Sequence, residues 1–202
     1  MIDQVISQAS QFHPVEWIAT VTAILYLVYA VREKPVCWIW GMISCSFWAY
    51  ASFAYYNLYL DAILQLFYVA MAVVGLYQWR RDRGKEARAV RPTTSMSWSE
   101  HGLALAIGLP LTIVFGYFFD EYTPAAATYA DALTTVFSVL ATVMLVRKQL
   151  ENWIYWVITD AIYIYLYAWR GAWLFTLLMV VYTVLAAVGY FSWRKQMKSE
   201  SI

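Results

Sequence analysis

The sequence predicts an all-α integral membrane protein whose seven transmembrane helices form a 3+1+3 arrangement of two parallel repeats. Composition, long apolar runs and an internal repeat carry that reading. Of 202 residues, 62% are hydrophobic, 19% aromatic and 13% charged, whereas soluble domains are roughly 45–50% apolar and about 25% charged. Seven apolar stretches lie near 14–31, 36–56, 58–79, 102–119, 128–146, 152–169 and 172–193. Each is long enough to cross a hydrocarbon core of about 30 Å. They take up most of the chain and leave no room for a soluble catalytic domain. The runs are continuously apolar rather than alternating, and lipid demands a backbone satisfied within each segment, so helices are expected and strands are not.

In chain order, Met1 to His13 has neither a basic start nor a small-residue cleavage site and reads as a short amphipathic lead-in. Span 1 is followed by Arg32 and Lys34. Span 2 holds both cysteines, Cys37 and Cys45, which show no disulfide framework or metal-ligand spacing and read as buried small apolar residues. Span 3 runs into the basic loop Arg80, Arg81, Arg83, Lys85, Arg88 and Arg91. Span 5 is followed by Arg147 and Lys148, and span 7 by Arg194, Lys195 and Lys198. Of the 14 basic residues only Arg170 lies on the other side, which puts the N-terminus outside and the C-terminus in the cytoplasm. A net charge of +1, with the cations gathered in short loops, excludes a nucleic-acid partner.

The repeat supplies the layout. A shift of 115 places Thr20, Val28, Arg32, Trp38, Ile43 and Tyr50 on Thr135, Val143, Arg147, Trp153, Ile158 and Tyr165. A shift of 114 then places Leu60, Leu64, Tyr68, Ala72, Gly75 and Trp79 on Leu174, Leu178, Tyr182, Ala186, Gly189 and Trp193. Three helices reverse the chain, so the lone span 4 must carry it back for both copies to point the same way. The expected units are an N-terminal three-helix bundle with its lead-in (1–79), a basic cytoplasmic loop with a linker helix (80–127), and a C-terminal three-helix bundle with a short tail (128–202). Two facing bundles place a transport site near the midplane between them.

Ionisable groups inside a span are costly and point to function. Asp160 sits mid-way along span 6 with Trp153, Trp156, Tyr163 and Tyr167 at offsets −7, −4, +3 and +7, on one helical stripe. A carboxylate flanked by indoles and phenols suits a flat organic cation; an aromatic core stripe is the bland alternative. Glu16, Asp61 and Asp131 lie near the outward ends of spans 1, 3 and 5, an acidic mouth that would concentrate cations. Gln65 and Tyr68 share a face of span 3 and read as binding groups or as an interhelical hydrogen bond. No phosphate-cradling loop, catalytic triad or HExxH is present, so neither catalytic nor metal residues are expected, and the chain is not expected to be an enzyme. A membrane-embedded enzyme or ligand sensor is the remote alternative, since Asp160 has no second mid-span acid or histidine beside it.

The run from Glu151 to Asp160 with its WxxWxxxD spacing, Leu58, Tyr59 and Gln65 of span 3, and the Gly189 to Trp193 ending together resemble the PnuC family of bacterial vitamin transporters. The resemblance extends over essentially the whole chain. It implies a SWEET-like inner-membrane transporter without cofactor or energy source of its own, which moves a vitamin precursor by facilitated diffusion. A cytoplasmic vitamin kinase would then trap the product. It also points to a homo-oligomer, a trimer, for which no heptad or GxxxG spacing adds support. The nicotinamide riboside branch carries Asn where this chain has Asp160, and an Asn and a Tyr-Gly-Trp run where it has Ala72 and Val74-Gly75-Leu76. Those departures favour the thiamine-handling PnuT relatives, with thiamine stacked on Trp153 or Trp156 and bonded to Asp160. Nicotinamide riboside is the second substrate in rank, ahead of riboflavin.

Overall fold

The computed structural model describes residues 2–57, 59–81, 92–122 and 128–200. Most of the basic loop, residues 82–91, lies outside that set. The described chain is helical: α1 (Ile2–Gln11), α2 (Pro14–Val31), α3 (Cys37–Ala54), α4 (Tyr59–Arg81), α5 (Trp98–Tyr122), α6 (Thr128–Val146), α7 (Asn152–Trp169) and α8 (Trp173–Glu200). The lead-in forms its own helix, α1. Its Gln8 amide donates to the Gly171 carbonyl (2.8 Å) and accepts from the Leu174 N–H (2.9 Å), pinning α1 to the turn between α7 and α8. Helix α8 outruns the apolar stretch 172–193, so Arg194, Lys195 and Lys198 lie on its last turns rather than in a loop.

Among the described residues, five helices are long and apolar enough to cross a membrane by length and composition: α2, α4, α5, α6 and α8. The expectation was seven. Helices α3 and α7 fall short because Trp, Tyr, Ser, Thr and Asn replace aliphatic residues along them. Each is the middle member of its group, packed between α2 and α4 or between α6 and α8. Contacts of α2 with α8 and of α4 with α6 close the six helices into a ring, and α5 packs outside it against α6. Leu103, Ile107, Ile113, Val114 and Phe115 of α5 are exposed, an apolar face suited to lipid and too large for water.

The two groups repeat each other in detail. Helices α2 and α6 end in the same way: Lys34 N–H reaches the Tyr29 carbonyl (3.0 Å) and Gln149 N–H the Met144 carbonyl (3.0 Å). The residue before each sits in the left-handed region, Glu33 at φ 51° and Lys148 at φ 55°, the cap at which glycine is favoured. Trp38 and Trp153 lie flat against Gly75 and Gly189, where a Cβ would come within 2.4 and 2.7 Å of the indoles. Trp79 and Trp193 complete a four-indole cluster, with centroids of 5.3 Å for Trp38–Trp79, 6.0 Å for Trp79–Trp193 and 5.3 Å for Trp153–Trp193. This cluster is the centre of the core and fills one end of the ring.

Candidate functional site

Above the tryptophan cluster the ring encloses a cavity of about 510 Å³, within the roughly 300–1,000 Å³ typical of small-molecule sites. All six ring helices contribute. Helix α2 supplies Tyr26, and α3 supplies Trp38, Gly41, Ser44, Cys45, Trp48 and Ser52; Asp61, Gln65, Tyr68 and Ala72 come from α4 and Thr142 from α6. Helix α7 supplies Trp156, Asp160 and Tyr167, and α8 supplies Phe175, Met179, Tyr182 and Ala186. One wall is polar, with Ser44, Ser52, Asp61 and Gln65; the α7–α8 wall is aromatic and aliphatic except for Asp160.

Six of the ten anticipated binding residues line this cavity: Trp156, Asp160, Tyr167, Gln65, Tyr68 and Asp61. The supposed single stripe on α7 divides. Trp153 shares the angular position of Asp160 but lies seven residues, about 10 Å, further along the helix. That depth is below the cavity floor, where Trp153 is fully buried edge-on to Trp193. Tyr163, at +3, turns toward Thr134 and Thr135 of α6 and stacks on Tyr167 with centroids 5.7 Å apart. Trp153 and Tyr163 are therefore packing residues around the wall rather than parts of it.

The acidic mouth also comes apart. Glu16 is fully buried; its carboxylate accepts the His13 N–H (2.8 Å) that starts α2 and the Tyr56 hydroxyl. Asp131, its repeat counterpart, pairs with Arg170 at 2.8 Å on a half-exposed surface. Asp120 accepts from Thr128 (3.1 Å). Only Asp61 of this group faces the cavity, accepting the Ser52 hydroxyl. An exposed pair such as Asp131–Arg170 contributes under about 1 kcal/mol, so Asp131→Asn is expected to move the apparent Tm in a thermal melt by no more than about 4 °C.

Asp160 differs from these acids. It is 4% exposed, borders the cavity, and has no hydrogen-bond or ion-pair partner among the described residues. A bare carboxyl in a site walled by Trp156, Tyr68 and Tyr182 calls for a ligand that brings a donor or a positive charge.

The sequence profile of the nicotinamide mononucleotide transporter family matches residues 13–195. The chain belongs to this family, the PnuC transporters. A nicotinamide riboside transporter PnuC of Neisseria mucosa is 28% identical over 94% of this chain and 76% of its own length. The nicotinamide riboside transporter PnuC of Escherichia coli is 24% identical over 89% and 84%, and the riboflavin/roseoflavin transporter RibM of Streptomyces davaonensis is 25% identical over 92% and 88%. The crystal structure of a vitamin B3 transporter PnuC superposes with a TM-score of 0.74, at 27% identity, over 98% of this chain and 90% of that one.

The chain is thus a multi-pass membrane protein of a vitamin-transporter family. Its cavity includes residues that reading one helix at a time missed: Tyr26, Ser44, Cys45, Trp48, Ser52, Phe175 and Tyr182. The repeat already contained the signal for several of them. The shift of 115 carries Cys45 onto Asp160 and Ser52 onto Tyr167, and the shift of 114 carries Tyr68 onto Tyr182. A residue that lines a cavity between two related halves implies that its counterpart does too.

Proposed function

We propose that this PnuC-family chain carries nicotinamide riboside into the bacterial cell by facilitated diffusion across the inner membrane. Seven helices, α2 to α8, span the bilayer as two parallel three-helix units joined by α5. The N-terminus faces outward and the C-terminus the cytoplasm, as the one-sided distribution of Lys and Arg supports. The observation that carries the substrate reading is the unpartnered Asp160 beside Trp156, facing a hydroxyl-rich wall. A pyridinium ring fits the aromatic, acidic side, and ribose hydroxyls find Ser52, Asp61 and Gln65 opposite. Phosphorylation by a cytoplasmic kinase would trap the product and pull the equilibrium inward.

The case for thiamine rested on Asp160, which stands where the nicotinamide riboside branch carries Asn, and on departures in α4. A carboxylate serves a pyridinium as well as a thiazolium, since both are cationic, and the positions of the α4 departures weaken the rest. Of those residues Ala72 lines the cavity, whereas Val74 is 42% exposed on the outer surface and Gly75 packs on Trp38. The hydroxyl partners that α4 lacks are available from α3. The relatives named for nicotinamide riboside favour the same substrate.

The test is uptake into proteoliposomes of labelled nicotinamide riboside, thiamine and riboflavin, without ATP or an ion gradient. Riboside flux that runs equally in both directions when the gradient is reversed is the expected result. Thiamine or riboflavin flux exceeding riboside flux would overturn the substrate assignment, and flux that needs an imposed ion gradient would overturn the mechanism.

A further inference from the structure

The two ends of the cavity are built differently. At one end its wall reaches the surface at Tyr56, which is 46% exposed. At the other it stops on Trp38, 1% exposed, with the tryptophan cluster behind it. Beyond that cluster Lys148 Nζ lies 2.8 Å from Glu33 Oε2 in a buried ion pair, and 4.9 Å from the centre of the Trp79 ring. Thr93 donates to the other Glu33 oxygen (3.1 Å). Next to it, Thr94 exchanges backbone hydrogen bonds with Lys148 and Leu150 (3.0 and 2.8 Å).

Glu33 and Lys148 are 115 positions apart, the repeat shift itself, so one position carries opposite charges in the two units. Both occupy left-handed caps that disfavour a side chain. At the opposite end of the ring the corresponding left-handed residues are Asn57 and Gly171, the types that tolerate that conformation most easily. A charged residue in such a cap is accounted for by what its side chain reaches, and here each reaches the other. The neighbouring bonds also run between units: Trp79 donates its indole N–H to the Val146 carbonyl (3.1 Å), and Trp193 to that of Ala30 (3.1 Å). The indole N–H groups of Trp38 and Trp153 are buried without a partner, a cost that a second arrangement of the same residues can relieve.

We propose that the Glu33–Lys148 pair is the latch of a gate closing the basic end of the cavity, and that its partners separate once in each transport cycle. The inference rests on the transport reading above. A buried ion pair adds little net stability against an apolar replacement, yet it selects one arrangement sharply, because either partner alone is a buried unpaired charge. That property suits a closure with two states. When the units rock apart, the ion pair, the two indole bonds and the contact with Thr93 break together, opening a path past Trp38.

Cys45, on the cavity wall, is a native reporter that needs no substrate. In a Cys37→Ala background, a membrane-impermeant maleimide is applied to oriented vesicles from the side bearing Arg32, Arg147 and Arg194. Lys148→Met is expected to raise the rate of Cys45 labelling from that side by about tenfold or more, and the swap Glu33→Lys with Lys148→Glu to return it toward the parent rate. Unchanged labelling in a folded Lys148→Met protein would overturn the latch. If that variant does not fold, Glu33→Cys and Lys148→Cys are joined by a bifunctional thiosulfonate in a Cys37→Ala protein, with the same reagent on the Cys37→Ala parent as the control for Cys45. Transport lost on linking and regained on reduction supports the gate; transport unaffected by the link overturns it. If the transported vitamin is not nicotinamide riboside, the labelling result stands unaltered, so the two failures are distinguishable.

Discussion

Asp160→Ala is expected to lower nicotinamide riboside uptake by about 10- to 100-fold while leaving the apparent Tm unchanged or raised. The first half follows from removing the acceptor that meets a buried donor or cation; hydrogen bonds to charged groups are worth roughly 1.5–3 kcal/mol. The second follows from burial without a partner: a carboxyl that gives nothing back to the fold is a cost in the empty protein. A conventional structural acid would show the reverse pattern, with stability and transport falling together. Asp160→Asn keeps a hydrogen-bond acceptor and removes the charge, so it should retain part of the riboside flux. Trp156→Ala should cost up to about 2 kcal/mol of ring and cation contact, near 30-fold. Uptake and thermal melts on the same purified variants check both halves, and wild-type uptake by Asp160→Ala would remove Asp160 from the site.

Gly75→Ala and Gly189→Ala carry the second large effect, on folding rather than on substrate. The added Cβ would stand 2.4 Å from Trp38 at position 75 and 2.7 Å from Trp153 at position 189, both impossible without movement of an indole. Those indoles are fully buried and held edge-on to Trp79 and Trp193, so they have little room to yield. Overpacking of this kind costs typically about 1–3 kcal/mol per site, and Gly75→Ala, with the closer contact, should be the more severe. Coupling to the ring is the specific signature: in a Trp38→Phe background the cost of Gly75→Ala should shrink, as expected for residues in direct contact. A neutral Gly75→Ala in a detergent melt, or costs that simply add, would show that the helices pack otherwise.

Much of the fold was legible because its determinants are local. Lipid requires helices with internally satisfied backbones, and the apolar runs carry that requirement one span at a time; α2 and α6 start and stop where their runs do. The repeat was legible because it is written in residue identity, Trp38 with Trp153 and Gly75 with Gly189. Helices α3 and α7 also fall on their apolar runs, α7 to the residue, but part of their aromatic and hydroxyl-bearing content lines the cavity and lowers their hydropathy as spans. The candidate site was half legible. A lone mid-span acid is rare enough to identify Asp160, but periodicity supplies only the angle of a side chain about its helix. It does not supply depth, and depth separates Trp153, in the core, from Trp156, on the cavity wall.

The sequence by itself determined a membrane-embedded helical chain, a duplicated unit and an acid without an obvious partner, since composition, period and repetition are properties of residues along the chain. Only the tertiary structure decided which acids are already occupied. Glu16 holds a helix start and a tyrosine, Asp131 an arginine and Glu33 a lysine, while Asp160 has no such partner among the described residues. The physical reason is range: a carboxylate's partner must come within about 3 Å, and in a ring of six helices that neighbour is set by how the two repeats close on each other, at separations as long as the 115 positions between Glu33 and Lys148.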